Sequence, residues 1–172
     1  MMIAMKRLLF AILAVVMTVG VATAQNYMVI DSEKVFKSLK EYNDALEQIE
    51  QLSQRYQQEV DKKFAEVERL YNNYMVQRAA LSENARQSRE REILALEAEA
   101  TKFQESLFGT EGEIMKRRME LIQPIQKRVF DTLEGFAKQN GYDLIIDIAA
   151  NPTVLYYSSN IDFTERVIEA LK

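Results

Sequence analysis

The sequence predicts a mainly α-helical protein, in which a long antiparallel coiled-coil hairpin is inserted in a small body that contains β-strands. Two long stretches of the 172-residue chain place larger apolar residues about every 3.5 positions, the spacing of a coiled-coil seam. A polar interval separates the two stretches, and short β-prone runs lie near the chain ends. We therefore assign residues 25–36 and 137–172 to the body and residues 37–136 to the hairpin.

An export signal is predicted for residues 1–24, because this segment has the three parts of a cleavable secretory signal. Lys6 and Arg7 supply positive charge, residues 8–21 are apolar, and residues 22–24 (Ala-Thr-Ala) form a cleavage site. The alternative is a membrane anchor, but the apolar run is shorter than the roughly 20 residues that a helix needs to cross a bilayer. We expect a soluble, exported protein.

Composition and charge exclude several classes of function. Cleavage before Gln25 leaves 20 basic and 26 acidic residues, a net charge of −6, so no nucleic-acid partner is expected. The chain lacks histidine, the commonest general base and metal ligand, and cysteine, the usual thiol nucleophile. It also lacks the glycine-rich loops that bind phosphate groups. Asp143 and Asp147 are better explained as a solvated strand face than as a catalytic pair. We expect no enzyme activity and no cofactor.

A short strand followed by a long helix is predicted after the signal. Residues 27–30 are β-prone and end at Asp31 and Ser32, two residue types that favour the start of a helix. The first apolar seam then continues through residues 35–81, and the second seam covers residues 93–136.

The polar interval at residues 82–92 predicts the tip of the hairpin. Ala85 is the only apolar residue in this interval, and the two seams have similar lengths, as an antiparallel return requires. The alternative is one uninterrupted helix of about 100 residues, because no glycine or proline marks the turn and Ser82 lacks a Glu or Gln three positions later. We favour the hairpin.

Three residues interrupt the second helical stretch and are candidate hinges: Gly109, Gly112 and Pro124. A glycine in a helix interior is less stable than alanine by about 1 kcal/mol, and a proline removes one backbone donor. We therefore expect the returning helix to bend at these positions.

The C-terminal part of the chain changes from helical to mixed character. Gly141 can adopt the left-handed conformation that ends a helix. Residues 142–148 and 153–157 are β-prone and are separated by a turn, so they predict an antiparallel hairpin. A final short helix is expected at residues 165–171.

The predicted body is too small to be stable alone. Three short strands and one short helix bury little apolar surface, and open strand edges favour pairing with another chain. We therefore expect self-association into a closed ring or barrel. The candidate oligomerisation residues are Val29, Leu144, Ile146, Val154 and Tyr156.

Two sets of hairpin side chains are candidates for binding. The first set either packs in the seams or holds extended apolar segments of other proteins; it comprises Phe64, Tyr71, Tyr74, Met75, Phe103 and Phe108. The second set either keeps the tip soluble or makes peripheral contact with anionic lipids or acidic partners; it comprises Arg78, Arg86, Arg89 and Arg91.

Five segments resemble the Skp/OmpH family of periplasmic chaperones, and the resemblance extends over the whole mature chain. The order of these segments is more specific than any one of them, since helical seams match many unrelated coiled coils. The segments are VIDSEKVF at residues 29–36, ELIQPIQKRV at 120–129, GYDLIID at 141–147, VLYY at 154–157 and IDFTERVI at 161–168.

This resemblance implies a homotrimer whose pooled strands form a barrel-like body, with three hairpins around a cavity that holds an unfolded outer-membrane protein. It also implies a periplasmic location and a holding activity that uses no ATP. Well-known members are strongly basic whereas this mature chain is acidic, so lipopolysaccharide binding is not carried over. The alternative function is a structural coiled-coil protein that links or spaces folded partners in the cell envelope.

Overall fold

The computed structural model describes residues 26–172, and the predicted export signal lies outside these residues. The predicted fold class is confirmed: the chain is mainly helical, with a hairpin of long helices and a small sheet. In chain order the elements are β1 (Tyr27–Ile30), α1 (Ser32–Ser38), α2 (Lys40–Gln77), α3 (Glu83–Phe108), α4 (Glu113–Asn140), β2 (Leu144–Asp147) and α5 (Thr164–Ala170).

Helices α2, α3 and α4 form the hairpin, which excludes the single uninterrupted helix. Helix α2 leads away from the body, and α3 and α4 return alongside it. Ion pairs join the two arms, between Lys63 and Glu99 (2.9 Å) and between Glu41 and Arg128. The seam between the arms buries Ile49, Val60 and Tyr74 of α2, Ile93, Ala100 and Leu107 of α3, and Ile122 and Val129 of α4.

The chain reverses at residues 78–82, at the upstream edge of the interval predicted for the tip. A 3₁₀ turn at Arg78–Ala80 ends α2, and the Ser82 hydroxyl caps α3 by accepting a hydrogen bond from the Ala85 amide (3.4 Å). Residues 83–92 are the first turns of α3. The polar interval thus marks an exposed helix end supported by charge pairs one turn apart.

The returning arm is interrupted at residues 109–112 and remains helical at Pro124. Helix α3 ends at Phe108 and α4 begins at Glu113. Gly109 and Gly112, the two glycines predicted as hinges, therefore lie in a complete break between helices. Pro124 lies inside α4 at an exposed position. Proline has no amide hydrogen to donate to the carbonyl four residues earlier, and at this position solvent can reach that carbonyl instead. A further break at Leu39, between α1 and α2, has no glycine or proline to signal it.

The sheet is where the prediction is wrong. Strand β2 pairs in parallel with β1, and residues 153–157 form no strand, so the expected antiparallel hairpin is absent among the described residues. Parallel neighbours need a long crossover, which the helical hairpin supplies. Alternation along a strand identifies its faces but not its partner, and here the partner lies more than a hundred residues away, with Val29 opposite Ile146.

The core of the body is built from both ends of the described chain. Gly141 ends α4 in the predicted left-handed conformation (φ 71°), which turns the chain back towards β1. Because α4 supplies three core residues, packing of the body extends along this helix towards the hairpin. The buried core residues are Met28, Ile30, Val35, Leu39, Val129, Leu133, Ala137, Phe163 and Val167.

Hydrogen bonds tie β2 and α5 to the start of α1. The Asp147 carboxylate accepts from the Ser32 amide (3.1 Å) and hydroxyl (2.6 Å), and the Asp31 amide donates to the Thr164 hydroxyl (2.9 Å). A carboxylate is favourable at a helix N-terminus because unpaired amides point towards it. Asp147 is therefore a half-buried packing residue, which corrects the expected solvated strand face; Asp143 remains exposed.

Candidate functional site

The two sides of the hairpin near its tip have different surfaces. On one side lies a groove of about 400 Å³, which we call the tip groove. On the opposite side of the same seam, a smaller groove of about 230 Å³ is lined largely by polar and charged side chains, among them Arg69, Asn73, Arg89 and Glu92. The tip groove is lined by Tyr71, Tyr74 and Met75 of α2, by Arg78 of the 3₁₀ turn that follows, and by Glu90, Ile93, Leu94 and Glu97 of α3.

Three of the six candidate apolar contacts meet at the tip groove. Tyr71 and Met75 are 49% and 47% exposed, which leaves large apolar surfaces open to a partner. Tyr74 is only 6% exposed, so its ring belongs mainly to the seam and forms part of the groove floor. Its hydroxyl donates a hydrogen bond to the Glu90 carboxylate, and this bond raises the pKa of Tyr74. The pair links the two arms next to the groove.

The other three candidates lie farther along the hairpin and do not join this groove. Phe64, Phe103 and Phe108 are each half-buried beside the seam. The Lys63 ammonium lies 5.1 Å from the centre of the Phe103 ring, a cation–π contact that covers part of its face. These three side chains therefore present less free surface than Tyr71 and Met75.

Sequence reasoning missed several exposed apolar side chains of the hairpin. Leu94 is 62% exposed and lines the tip groove, while Met115, Met119 and Phe130 of α4 are 41%, 46% and 59% exposed. The signal was available, because Leu94 and Phe130 directly follow the buried seam residues Ile93 and Val129. A residue one position beyond a seam lies at the edge of the helix interface, and a large apolar residue there is left partly uncovered.

The four candidate arginines of the tip are spread over two helix ends and partly neutralised. Arg86 and Arg89 form ion pairs with glutamates one turn away on α3, at 3.6 Å and 2.7 Å. The Arg91 Nε donates to a backbone carbonyl of its own helix, and Arg78 lines the tip groove. Two of the four arginines are therefore paired within α3, and the role of the set stays a prediction.

Three of the five candidate oligomerisation residues, Val29, Leu144 and Ile146, lie on the face of the small sheet opposite the core, where Val29 is only 1% exposed; Val154 and Tyr156 lie in the segment beside it. Val29 pairs with Ile146 and Tyr27 with Leu144 across the two strands, so all four side chains share that face. Residues 154–161 border it and leave a groove of about 410 Å³, which we call the sheet groove. Its lining includes Tyr27, Val29, Ile146, Val154 and Tyr156.

The break between α3 and α4 depends on close backbone approach at its glycines. A Cβ atom at Gly112 would lie 2.6 Å from the Leu107 carbonyl oxygen, and one at Gly109 would also overlap a backbone oxygen, that of Glu105. We expect Gly112→Ala to destabilise the protein by about 1–3 kcal/mol, as overpacking does. Thermal unfolding and hydrogen exchange around the break would measure this loss.

Gly135 supplies the matched control for that substitution. It lies in the interior of α4, and a Cβ atom there would meet nothing within 4 Å. Gly135→Ala is therefore expected to be neutral or stabilising by up to about 1 kcal/mol, since alanine restricts the unfolded chain. Equal effects of the two substitutions would show that Gly112 is not required by the break.

Two kinds of site are absent from residues 26–172. None of the helices in this range combines the length and the apolar character needed to cross a bilayer. The same range contains no group of three His, Cys, Asp or Glu side chains placed to hold a metal ion.

Comparisons with known proteins agree with this architecture. A family model described as "Outer membrane protein (OmpH-like)" matches residues 26–171, almost the entire described chain. The protein named chaperone protein Skp from Photorhabdus laumondii is 24% identical over 171 residues, which cover 98% of this chain and 100% of that protein. The match thus includes both the body and the hairpin.

Proposed function

The chain belongs to the OmpH-like family, and from that premise we propose that it is a periplasmic holding chaperone for unfolded outer-membrane β-barrel proteins. The single observation that carries this proposal is the tip groove, where Tyr71, Met75 and Leu94 expose large apolar surfaces side by side. Exposed apolar surface that no part of the chain covers is typical of a binding surface. The relative named as a chaperone supports the same function.

A holding mechanism needs many weak contacts. A shallow groove binds one apolar segment of a client at a time, and several hairpins in one assembly raise the effective concentration of binding surface. Each contact can be released separately, so the client remains mobile. Folding of the client buries its apolar residues and removes them from the chaperone, and no nucleotide is required.

Self-association through the body completes the proposal. The sheet groove is mainly apolar. Tyr156, which lines it, and the neighbouring Leu155 are 84% and 95% exposed, in a segment without a strand partner among the described residues. A neighbouring chain that pairs with this segment would cover those side chains and the outer edge of β2, which has no partner strand among the described residues. We propose a homotrimer assembled in this way, with the helix break at residues 109–112 as a hinge in each hairpin.

Light scattering on the mature protein, residues 25–172, tests both parts of the proposal. We expect the mass of a trimer, and we expect that a urea-unfolded outer-membrane β-barrel protein diluted into it stays soluble without ATP. Serum albumin at the same concentration controls for nonspecific protection. Aggregation of the client together with stable binding to a folded envelope protein would instead support a structural coiled coil.

A further inference from the structure

The tip groove belongs to a face of the hairpin that carries carboxylates as well as apolar side chains. Asp61 and Glu68 precede Met75 at seven-residue intervals on α2, so all three lie along one edge of the helix. Glu90 and Glu97 are also seven residues apart, and both line the groove from α3. We call this side the apolar face.

These carboxylates lack cationic partners in the described part of the chain. The Asp61 carboxylate accepts a hydrogen bond from the Gln57 amide (2.8 Å), and Glu90 accepts one from the Tyr74 hydroxyl, both neutral donors. Neither Glu68 nor Glu97 forms an ion pair among residues 26–172. Of the residues that line the tip groove, Arg78 is the cation, so the face has a negative balance.

The opposite side of the hairpin is different, because its charges neutralise one another. Ion pairs there join Lys63 to Glu99 (2.9 Å), Arg69 to Glu66 (2.6 Å) and Arg89 to Glu92 (2.7 Å). Arg69, Arg89 and Glu92 line the smaller groove on that side. The hairpin thus has an ion-paired side and an apolar side on which Arg78 offsets only part of the negative charge.

We propose that the apolar face binds unfolded segments in which aromatic or aliphatic residues alternate with Lys or Arg. This inference rests on the proposed holding function and adds the class of segment that is preferred. The apolar side chains of the segment would cover Tyr71, Met75 and Leu94, and its cations would meet Glu68, Glu90 and Glu97. Charge complementarity argues for this occupant, because a neutral or acidic segment would leave the carboxylates unpaired.

Two synthetic unstructured peptides test the preference. They share the same Phe, Leu and Tyr residues and differ in having Lys or Glu between them. Fluorescence anisotropy with the mature protein at low salt should show the Lys peptide binding about tenfold more tightly, with the difference shrinking as salt screens the charges. Equal affinities, or tighter binding of the Glu peptide, would overturn the inference.

Paired variants locate the preference on the molecule. The double substitution Glu68→Gln with Glu97→Gln is expected to reduce the advantage of the Lys peptide several-fold, whereas Glu59→Gln with Glu92→Gln changes the same net charge and should leave it intact. Glu59 is an exposed residue seven positions before Glu66, on the ion-paired side. If both double variants lost the advantage of the Lys peptide equally, the preference would be a general effect of net charge, and the assignment to the apolar face would be overturned.

Three further measurements separate this inference from the function on which it rests. Leu94→Ser should weaken the binding of both peptides, because it removes apolar surface and leaves the carboxylates in place. If the wild-type protein keeps a β-barrel client soluble but the peptides bind equally, the charge preference fails and the holding function stands. If the client aggregates, the holding function fails. A changed oligomer mass for Leu94→Ser would make the face a subunit interface and overturn the proposal.

Discussion

The double substitution Leu155→Asp with Tyr156→Asp is expected to reduce the assembled protein to single chains and to abolish its holding activity. Both side chains are almost fully exposed in the single chain, so the substitutions remove little packing within it. In the proposed assembly each would be buried, and burial of a large apolar side chain contributes about 1.5–3 kcal/mol. With two sites in every interface, the combined loss of about 3–6 kcal/mol should raise the dissociation constant by at least about a hundredfold. Light scattering would report the mass.

A control with the same added charge separates assembly from electrostatics. Gln126→Glu with Gln139→Glu also adds two carboxylates, at exposed positions of α4 away from the sheet groove. This control should keep the mass and the activity of the wild-type protein. If the Leu155 and Tyr156 variant also kept the wild-type mass, the extended segment would not be the interface, and another surface of the body would have to hold the chains together.

The parts of the fold that could be predicted from the sequence are those set by local periodicity. A seam spacing near 3.5 residues specifies long paired helices, and Asp31 and Gly141 mark helix ends through their own backbone and side-chain chemistry. Strand pairing is different, because a β-prone run has no information about which distant run it meets. The parallel pair of β1 and β2 therefore could not be predicted from alternation alone. The break at Leu39 likewise has no local signal.

The candidate site was predicted only in part, for a related reason. Periodicity places a residue on or beside a seam, but it does not say how completely the partner helix covers it. Tyr71 and Tyr74 are three residues apart and similar in chemistry, yet one is half exposed and the other is buried against α3. The sequence likewise does not show which tip arginines are paired; in the structure Arg86 and Arg89 have glutamate partners one turn away.

Val167→Asp is expected to unfold the body, because Val167 is fully buried where both ends of the described chain meet. Its side chain has no exposed surface and packs in the cluster that includes Met28, Val35 and Val129. The substitution removes an apolar group and buries a carboxylate without a partner, a combined loss of at least about 4 kcal/mol. Many domains are stable by only about 5–15 kcal/mol in total. Urea unfolding followed by circular dichroism would measure the change in free energy.

Ala170→Asp provides the matched control on the same short helix. Ala170 is exposed one turn after Val167, so the same new charge stays in water and should cost less than about 1 kcal/mol, mainly through its position near a helix C-terminus. The difference between the two variants isolates burial from charge. Because the proposed trimer is assembled from the body, Val167→Asp should also lower the mass, whereas Ala170→Asp should not. Equal stability of the two variants would mean that α5 is not held in the core.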